Sequence, residues 1–269
     1  MNQTCDFLII GAGIVGLTVA HDLKQRFSDA KIIILDKESA AGQHASARNS
    51  GVLHSGIYYS SDTLKAKVCA NGARRMMQFA EKHAIPFRKD VKTLSRLLLE
   101  QGVEFLWNQA FMHRIDSNTV KTTDKAIQYS HLFNCAGAYA DKVAKAFDLG
   151  QEYALVPFKG IYWKLHDTVK NKVNANIYPV PNVNLPFLGI HLTRNIHHDV
   201  YVGPTAIPAF GRENYGLISG LSLQESAEIL SQLGRMYWSN HNNFRQLSHT
   251  ELGKYIKANF LSAAQKLMP

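Results

Sequence analysis

The sequence predicts an α/β (α+β) fold in which a parallel sheet with a β-meander is followed by a smaller antiparallel sheet. Three observations predict it. Near the N-terminus, a short apolar strand runs into a glycine-rich turn and a helix. Strand and helix patterns then alternate to about residue 150, which is typical of parallel sheets. Beyond Val156 the segments are aromatic and β-branched and are separated by Pro, Asn and Gly, which is typical of antiparallel strands.

The first strand, helix and strand carry a dinucleotide-binding pattern. Three glycines follow the apolar residues 7–10 at the spacing GxGxxG: Gly11, Gly13 and Gly16. The first permits a tight turn, the second lets the backbone approach a pyrophosphate, and the third lets the helix pack closely on the strand. The second strand, Ile32–Leu35, ends on Asp36, which is placed to accept hydrogen bonds from a ribose. A turn that binds nothing is the weaker alternative, because the strand, helix and acid all agree with a nucleotide site.

A small-residue segment and two helices follow. Residues 43–59 are small and polar, and such a segment suits a ligand better than a core. Its hydrogen-bonding side chains include Ser46, Asn49 and Ser50. Residues 61–62 predict the N-cap of a helix over residues 63–83, and a second helix is predicted over residues 91–101.

The next segments return the chain to the parallel sheet. Residues 103–107 predict a third parallel strand. Three short runs predict a β-meander: residues 111–115, 119–122 and 126–134. The last run closes on a glycine turn at Gly137, and a helix containing Val143 and Phe147 follows.

The second half predicts an antiparallel sheet and two helices. The predicted strands are residues 158–165, 177–180, 187–192 and 199–203. Ser222 and Glu225 predict a capping box for a helix that runs to about Trp238. Ser248 and Glu251 predict the cap of another helix.

Composition excludes several classes of protein. The apolar fraction is 46%, and no apolar run approaches the roughly 18 residues of a membrane span. No basic region precedes the first strand, so no signal peptide is predicted. The three cysteines, with no CxxC pair, favour a reduced, cytoplasmic setting over disulfides or zinc. The net charge of +9 favours anionic partners and is compatible with peripheral contact at the inner membrane face, whereas the scattered basic residues argue against nucleic acid.

Seven motifs carry a resemblance to a known family. After the glycine turn come NSGVLHSGIYY at residues 49–59 and NCAG at residues 134–137. The second half adds VPFKG at 156–160, IYPVP at 177–181, PFLGIHLTR at 186–194 and VGPTA at 202–206. With these motifs the chain resembles the D-amino-acid-oxidase-like FAD oxidoreductases, and most closely their L-2-hydroxyglutarate oxidase/dehydrogenase branch. The string NSGVLHSGIYY is the most specific of them.

The resemblance implies a flavoprotein with a Rossmann-like FAD-binding domain and a substrate domain whose antiparallel sheet faces the flavin. It implies that the glycine turn holds the pyrophosphate and that Asp36, with Lys37 beside it, holds the adenosine ribose. The other implied cofactor residues are Ser46, Asn49, Ser50, Gly51, Ala136 and Gly137. The implied reaction is the oxidation of a small 2-hydroxy acid, L-2-hydroxyglutarate to 2-oxoglutarate, by hydride transfer to FAD. Oxygen or a quinone would then take the electrons.

Candidate catalytic and substrate residues follow from this reaction. A histidine suits the base that takes the hydroxyl proton, because its pKa lies near working pH. His54 is the first candidate and His191 the second, each against the alternative of a structural histidine. The candidates for substrate binding are Lys159, Tyr178, Arg194 and Arg212, each against the alternative of a surface charge or a core tyrosine.

Two other residue sets are given no chemical role. The pair His197–His198 is assigned no metal, because adjacent residues of a strand point to opposite faces. Cys135 is expected to be a packing residue and not a nucleophile.

The chain departs from the family pattern in two places. A stretch that family members carry is missing near residue 90, and the chain ends before the family's final segment. The alternatives are therefore a shortened, catalytically inactive paralogue and an amine or amino-acid oxidase of the same superfamily. A classical NAD dehydrogenase is disfavoured, because the second-half motifs belong to flavoproteins. The predicted domains are an FAD-binding domain over residues 1–152, a substrate domain over 153–222 and a helical C-terminal segment over 223–269.

Overall fold

The computed structural model describes residues 3–49, 53, 62–83, 90–179, 189–195, 197–216, 218–254 and 256–268. The chain forms two compact units, Met1–Leu155 and Val156–Pro269, which we call unit 1 and unit 2. Both units contain strands and helices.

Among its described residues, unit 1 contains a six-stranded sheet and four α-helices. Its strands are β1 (Gln3–Ile10), β2 (Ile32–Leu35), β3 (Glu104–Leu106), β4 (Phe111–Arg114), β5 (Thr119–Thr122) and β6 (Ala126–Asn134). Its helices are α1 (Ile14–Arg26), α2 (Leu64–Lys82), α3 (Asp90–Glu100) and α4 (Ala140–Lys145). The strand order across the sheet is β3-β2-β1-β6-β5-β4.

The sheet of unit 1 is parallel on one side and antiparallel on the other. β1 pairs in parallel with β2 and β6, and β2 pairs in parallel with β3. β4, β5 and β6 form an antiparallel meander. The predicted parallel sheet and its returning meander are therefore confirmed. Ile10 pairs with both Leu35 and Asn134, so the carboxyl ends of β1, β2 and β6 meet at one edge of the sheet.

Apolar side chains cover both faces of this sheet. One face packs against α1 and α3 through Ile9, Ile32, Ile34, Leu17 and Leu98. The other face is formed by Leu8, Ile33, Leu35, Val120 and Ile127. All residues of β2 are buried, as expected for a central strand that is covered on both sides. Burial of each large aliphatic side chain stabilises the fold by roughly 1.5–3 kcal/mol relative to exposure.

The start of α2 differs from the prediction. The cap is Thr63, whose Oγ1 accepts a hydrogen bond from the Ala66 backbone N–H at 3.2 Å. The predicted cap at residues 61–62 is therefore wrong, because Thr63 supplies the hydroxyl at the spacing that the first free N–H groups require.

In the part of unit 2 that the structure describes, the chain forms two small antiparallel sheets and three α-helices. Its strands are β7 (Phe158–Lys159), β8 (Trp163–Lys164), β9 (His191–Arg194), β10 (Val200–Gly203) and β11 (Ile207–Pro208). Its helices are α5 (Leu223–Ser239), α6 (Phe244–Gly253) and α7 (Lys257–Gln265). The sheet orders are β8-β10-β9 and β11-β7, and every pairing is antiparallel, as predicted for this half of the chain.

The prediction of one continuous strand over residues 158–165 is wrong. β7 and β8 belong to different sheets, and the chain changes partner between them. Gly160 and Gly203 explain the break, since a Cβ at Gly160 would lie 2.5 Å from the Pro204 side chain and one at Gly203 would lie 2.6 Å from the Ile161 carbonyl oxygen. Two backbones that approach this closely cannot also keep the spacing of a regular ladder.

Three further segments differ from the prediction. The predicted strand at residues 177–180 is wrong over its described residues, where Ile177 makes a single bridge to Leu192. β9 begins at His191 and extends to Arg194, whereas the prediction ended at Leu192; residues 180–188 lie outside the described part of the chain. His197 and His198 lie in the turn between β9 and β10 and not within a strand.

Helix α7 packs on the β8-β10-β9 sheet, and the capping predicted for two helices of unit 2 differs from the structure. Phe260 of α7 is 1% exposed and packs with Leu192, Val200 and Val202. Ser222 is the N-cap residue of α5, as predicted, but its side chain makes no capping hydrogen bond, so the predicted capping box is wrong. Ser248 lies inside α6, where its hydroxyl donates to the Phe244 carbonyl oxygen at 2.7 Å. No helix in the described ranges is both long and apolar enough to cross a membrane.

Candidate functional site: a nucleotide cradle and a polar sheet face

In the glycine turn after β1, neighbouring backbone atoms leave no room for side chains. Gly11 has a φ of +107°, and a Cβ there would lie 2.3 Å from the Cys135 carbonyl oxygen. A Cβ at Gly16 would lie 1.9 Å from the Gly11 carbonyl oxygen. Since backbone atoms cannot turn aside as side chains do, only glycine fits at either position. This geometry is the close turn that a dinucleotide pyrophosphate requires.

The N-terminus of α1 follows directly from this turn. Gly13 is its N-cap residue and has no side chain to cap the helix. The Ile14 backbone N–H instead donates to Ser46 Oγ at 2.8 Å. Within the described residues, the Ser46 hydroxyl donates no hydrogen bond of its own. Its proton can therefore be offered to an anion at the positive end of the helix.

Asp36 lies at the carboxyl end of β2 and supports the glycine turn. Its Oδ2 accepts from the Ala12 backbone N–H at 2.6 Å, and its Oδ1 accepts from the Glu38 backbone N–H at 2.8 Å. A carboxylate offers about four lone-pair sites, so both oxygens can also accept from the hydroxyls of a ribose.

Lys37 belongs to a charged cluster that sequence reasoning missed. Its ammonium lies 2.6 Å from Glu38 Oε1 and 3.2 Å from His44 Nε2, and it lies 5.5 Å from the centre of the Tyr139 ring. The hydrogen bond from Lys37 lowers the pKa of Glu38, and the contact with His44 lowers it further. Nothing in the local sequence pattern indicates this cluster, because His44 and Tyr139 reach it only through the fold.

The turn after β6 lies beside the glycine turn. The Cys135 backbone N–H donates to the Ile10 carbonyl oxygen at 2.9 Å. Asn134 holds the turn with its amide, which donates to the Ala140 carbonyl oxygen at 2.8 Å and accepts from the Ala136 N–H at 3.3 Å. Gly137 has a φ of +55°. Burial raises the pKa of the Cys135 thiol, which agrees with a packing role.

The remaining predicted cofactor residues are only partly described. The Asn49 amide donates to the Ser46 carbonyl oxygen at 2.8 Å, which places it one turn beyond the residue at the α1 N-terminus. Ser50, Gly51 and the first base candidate, His54, lie outside the residues that the structure describes.

In unit 2, the buried His191 and the half-buried Tyr178 are in ring contact on one face of the β8-β10-β9 sheet. Their ring centres are 4.8 Å apart, and His191 is 6% exposed. His191 Nδ1 lies 3.0 Å from the Gly189 carbonyl oxygen. Because a carbonyl oxygen can only accept, this contact places the ring proton on Nδ1 and leaves Nε2 as the basic nitrogen of the neutral ring.

Lys159 is a half-buried cation with neutral partners. Its ammonium donates to Asn214 Oδ1 at 2.7 Å and to the Gly216 carbonyl oxygen at 2.6 Å. Among the residues described, no carboxylate forms an ion pair with it. Desolvation by burial lowers the pKa of Lys159. Such a cation is held in place and its charge is not neutralised, which is what an anionic ligand needs.

The two predicted arginines are engaged in structural contacts. The Arg194 guanidinium donates to the Val173 carbonyl oxygen at 2.9 Å and to Asn174 Oδ1 at 3.0 Å, and it lies 3.0 Å from His198 Nδ1. Arg212 Nε lies 3.8 Å from Glu225 Oε1, and its side chain is 8% exposed. The structure therefore brings His191 and Tyr178 together but does not bring Arg194 to their face of the sheet.

The residues of unit 1 fit the nucleotide part of FAD. The Gly11 and Gly16 positions admit no side chain, the Ser46 hydroxyl lies at the α1 N-terminus, and the Asp36 carboxylate lies at the carboxyl end of β2. These three features occur at one edge of the sheet, where parallel α/β sheets bind their ligands.

Comparisons with known proteins agree with this reading. The profile described as DAO, FAD dependent oxidoreductase, matches residues 6–93 and 88–253. An L-2-hydroxyglutarate dehydrogenase from Indibacter alkaliphilus is 31% identical over 340 aligned positions, which cover 97% of this chain and 82% of that protein. An L-2-hydroxyglutarate dehydrogenase from Escherichia coli is 28% identical and covers 98% of this chain and 78% of that protein.

A solved structure shows the same fold. L-α-glycerophosphate oxidase from Mycoplasma pneumoniae, solved with FAD bound, has a TM-score of 0.61 at 17% identity and covers 87% of this chain and 78% of that one. The predicted family and its cofactor, FAD, are confirmed by the family match. The chain belongs to the DAO family of FAD-dependent oxidoreductases.

Proposed function

We propose that this protein oxidises L-2-hydroxyglutarate to 2-oxoglutarate with FAD as its cofactor. The observation that carries the proposal is the similarity, over nearly the whole chain, to proteins named L-2-hydroxyglutarate dehydrogenase. Bound FAD supplies the acceptor for the hydride that leaves the α-carbon. The chain itself must bind the acid, hold the cofactor and take the hydroxyl proton.

In unit 1, the proposed cofactor contacts follow the geometry of the cradle. Gly11 and Gly13 let the backbone approach the pyrophosphate, Ser46 donates its hydroxyl proton to it, and Asp36 accepts from the adenosine ribose. Ala136 and Gly137 lie beside this turn and approach the adenosine side. Lys37 is bound to Glu38, so we expect it to order the loop after β2 and not to contact a phosphate directly.

In unit 2, His191 is the base that the described residues support. Its Nδ1 is directed to the Gly189 carbonyl oxygen, so Nε2 is the atom that takes the substrate hydroxyl proton. The ring of Tyr178 packs against it and limits its rotation. His54 stays a prediction as the alternative base, since it lies outside the described residues.

Lys159 is the proposed partner of a substrate carboxylate. Its neutral partners orient the ammonium without cancelling its charge. A dicarboxylic acid would restore the electrostatic stabilisation that burial removes from this cation. Arg194 and Arg212 are left out of this role because their guanidinium groups serve the fold.

We also propose that the substrate domain is shorter than in the relatives. The alignment with the Indibacter protein spans 340 positions, more than the 269 residues of this chain, so the relative carries residues without a counterpart here. The two matched family segments meet at residues 88–93, which supports a missing stretch near residue 90. The domain assignment 1–152, 153–222 and 223–269 stays part of this proposal.

The electron acceptor is proposed to be oxygen or a quinone. With a quinone, the net charge of +9 would favour peripheral contact with an anionic membrane surface. Comparing the rates of reoxidation by air and by a soluble quinone separates the two acceptors.

The test is the visible spectrum of the purified protein, followed by anaerobic addition of L-2-hydroxyglutarate. We expect bound FAD whose absorption bleaches with the L-enantiomer and not with D-2-hydroxyglutarate. Bleaching by amino acids instead would favour an amino-acid oxidase. Protein that takes up no flavin from excess FAD would overturn the proposal and favour the shortened, inactive paralogue.

A further inference from the structure

Thr193 of β9 carries a buried hydroxyl that has no partner among the residues that the structure describes. Its side chain is 4% exposed, and its Oγ1 forms no hydrogen bond to any residue that the structure describes. A hydroxyl in this position has lost its contact with water without gaining another partner, which is unfavourable. Nearly all buried polar groups of folded proteins are paired, so this hydroxyl calls for a partner from outside the chain.

The strand register shows where this hydroxyl points. Leu192 packs into the hydrophobic core with Val202, its partner across the sheet. Because side chains alternate along a strand, Thr193 and His191 both point to the opposite face. The hydroxyl is therefore not directed into the hydrophobic core of unit 2.

The surroundings of this face suit a small polar ligand. Gly203 pairs with His191 and brings no side chain to the sheet there, while Tyr201 pairs with Thr193. Ile177 packs against the core, so Tyr178, the next residue, lies on the same face as His191, and their rings are in contact. The face thus combines a base, two phenol rings and the unpartnered hydroxyl.

We propose that Thr193 Oγ1 hydrogen-bonds the 2-hydroxy acid that binds beside His191, and so contributes to its recognition. This inference rests on the proposed function and adds a substrate-binding residue to it. A hydroxyl both donates and accepts, so it matches a carboxylate oxygen or the hydroxyl of the acid. Sites of this kind reject analogues that lack the matching group, because the buried hydroxyl then stays unpaired.

The experiment compares three variants of the FAD-loaded, full-length protein. Thr193→Val removes the hydroxyl with little change of shape, and Thr193→Ser keeps it. The matched control is Thr122→Val in unit 1, where the hydroxyl is equally buried but donates to Gln109 Oε1 at 2.8 Å. Three properties are measured: the Kd for 2-oxoglutarate from the change in flavin absorbance, the FAD content, and the Tm without added acid.

We expect Thr193→Val to raise the Kd for 2-oxoglutarate about tenfold, to keep its FAD and to have a Tm no lower than the wild type. Thr193→Ser should bind like the wild type. Thr122→Val should lower the Tm by roughly 3 °C, because it removes the hydrogen bonds that the Thr122 hydroxyl makes with Gln109 Oε1 and with the Lys125 backbone, and should not change the Kd.

Each other result would overturn the inference in a distinct way. An unchanged Kd in Thr193→Val would show that the hydroxyl does not contact the acid. If Thr193→Val loses FAD but keeps its affinity for 2-oxoglutarate, the partner of the Thr193 hydroxyl is the flavin. A fall in Tm like that of Thr122→Val would show a partner within the protein. Wild-type protein that keeps FAD but binds no 2-oxoglutarate would overturn the proposed function itself.

Discussion

Substitution of Gly16 by alanine tests the nucleotide cradle most directly. Gly16 lies in the first turn of α1, and the new Cβ would lie 1.9 Å from the Gly11 carbonyl oxygen and 3.2 Å from Ile9 Cγ2. The first distance is more than 1 Å shorter than an ordinary carbon–oxygen contact of about 3.3 Å. Since the obstructing atom belongs to the backbone of the glycine turn, relief requires that the turn open.

The magnitude can be worked from two opposing effects. Alanine is favoured over glycine inside a helix by about 1 kcal/mol. Forced overpacking of a rigid site costs about 1–3 kcal/mol, and the upper end applies here because no side chain can rotate away. The net result is a loss of roughly 1–2 kcal/mol in the free energy of unfolding, together with weaker FAD binding, because the turn loses the shape that fits a pyrophosphate.

The matched control is Gly72→Ala in α2, where a Cβ would meet nothing within 4 Å. This variant should gain about 1 kcal/mol, since only the helix propensity changes. Urea unfolding of the apoprotein gives both free energies, and quenching of FAD fluorescence gives the Kd. A Gly16→Ala protein that is as stable as Gly72→Ala and binds FAD like the wild type would refute the reasoning.

Three further predictions follow from the charged groups. Lys159→Met should raise the Kd for 2-oxoglutarate by about tenfold or more without loss of FAD. In the wild type, the affinity for 2-oxoglutarate should fall as the pH rises through the pKa of Lys159, which burial holds below the usual value of lysine. Titrations of both proteins at increasing pH check these two expectations. Glu225→Gln should lower the free energy of unfolding by about 1–3 kcal/mol, because it breaks the ion pair with the buried Arg212 side chain. The flavin spectrum should not change. A changed spectrum with unchanged stability would contradict this structural role. The lowered pKa of Glu38 stabilises the fold at pH values above the unfolded-state pKa, and this stability is lost as the pH falls through the folded-state pKa. Lys37→Met should therefore make the free energy of urea unfolding depend less on acid pH. An unchanged pH dependence would count against the Lys37 contact.

Local sequence patterns were sufficient to predict most strands and helices of unit 1. The run Ile32–Leu35 is apolar at every position, and its burial on both faces agrees with the prediction of a central parallel strand. The β-meander was also predicted from its turn residues, and its strands lie within one residue of the expected bounds. Such elements can be predicted from the sequence because the pattern of buried residues along a strand and the residues of a turn are local.

The structure of unit 2 was harder to predict, because contacts between residues distant in the sequence decide its elements. The aromatic run at residues 158–165 has the composition of one strand, but the close approach of Gly160 to Pro204 divides it between two sheets. The serine and glutamate of the two expected capping boxes have the right spacing, yet Glu225 pairs with Arg212, and Glu251 accepts from the Ala206 N–H at 2.9 Å. In each case a partner distant in sequence competes with the local one.

By itself, the sequence determined the family, its FAD cofactor and the order of strands and helices in unit 1, because glycine spacing and apolar periodicity are local properties of the chain. Only the tertiary structure decided which cations are neutralised and which polar groups find no partner in the described part of the chain. Lys159 and Arg212 look alike in the sequence, but one meets an amide 55 residues away and the other meets a carboxylate. Thr193 carried no signal in the sequence, because its hydroxyl became informative only when the fold buried it with no partner among the described residues.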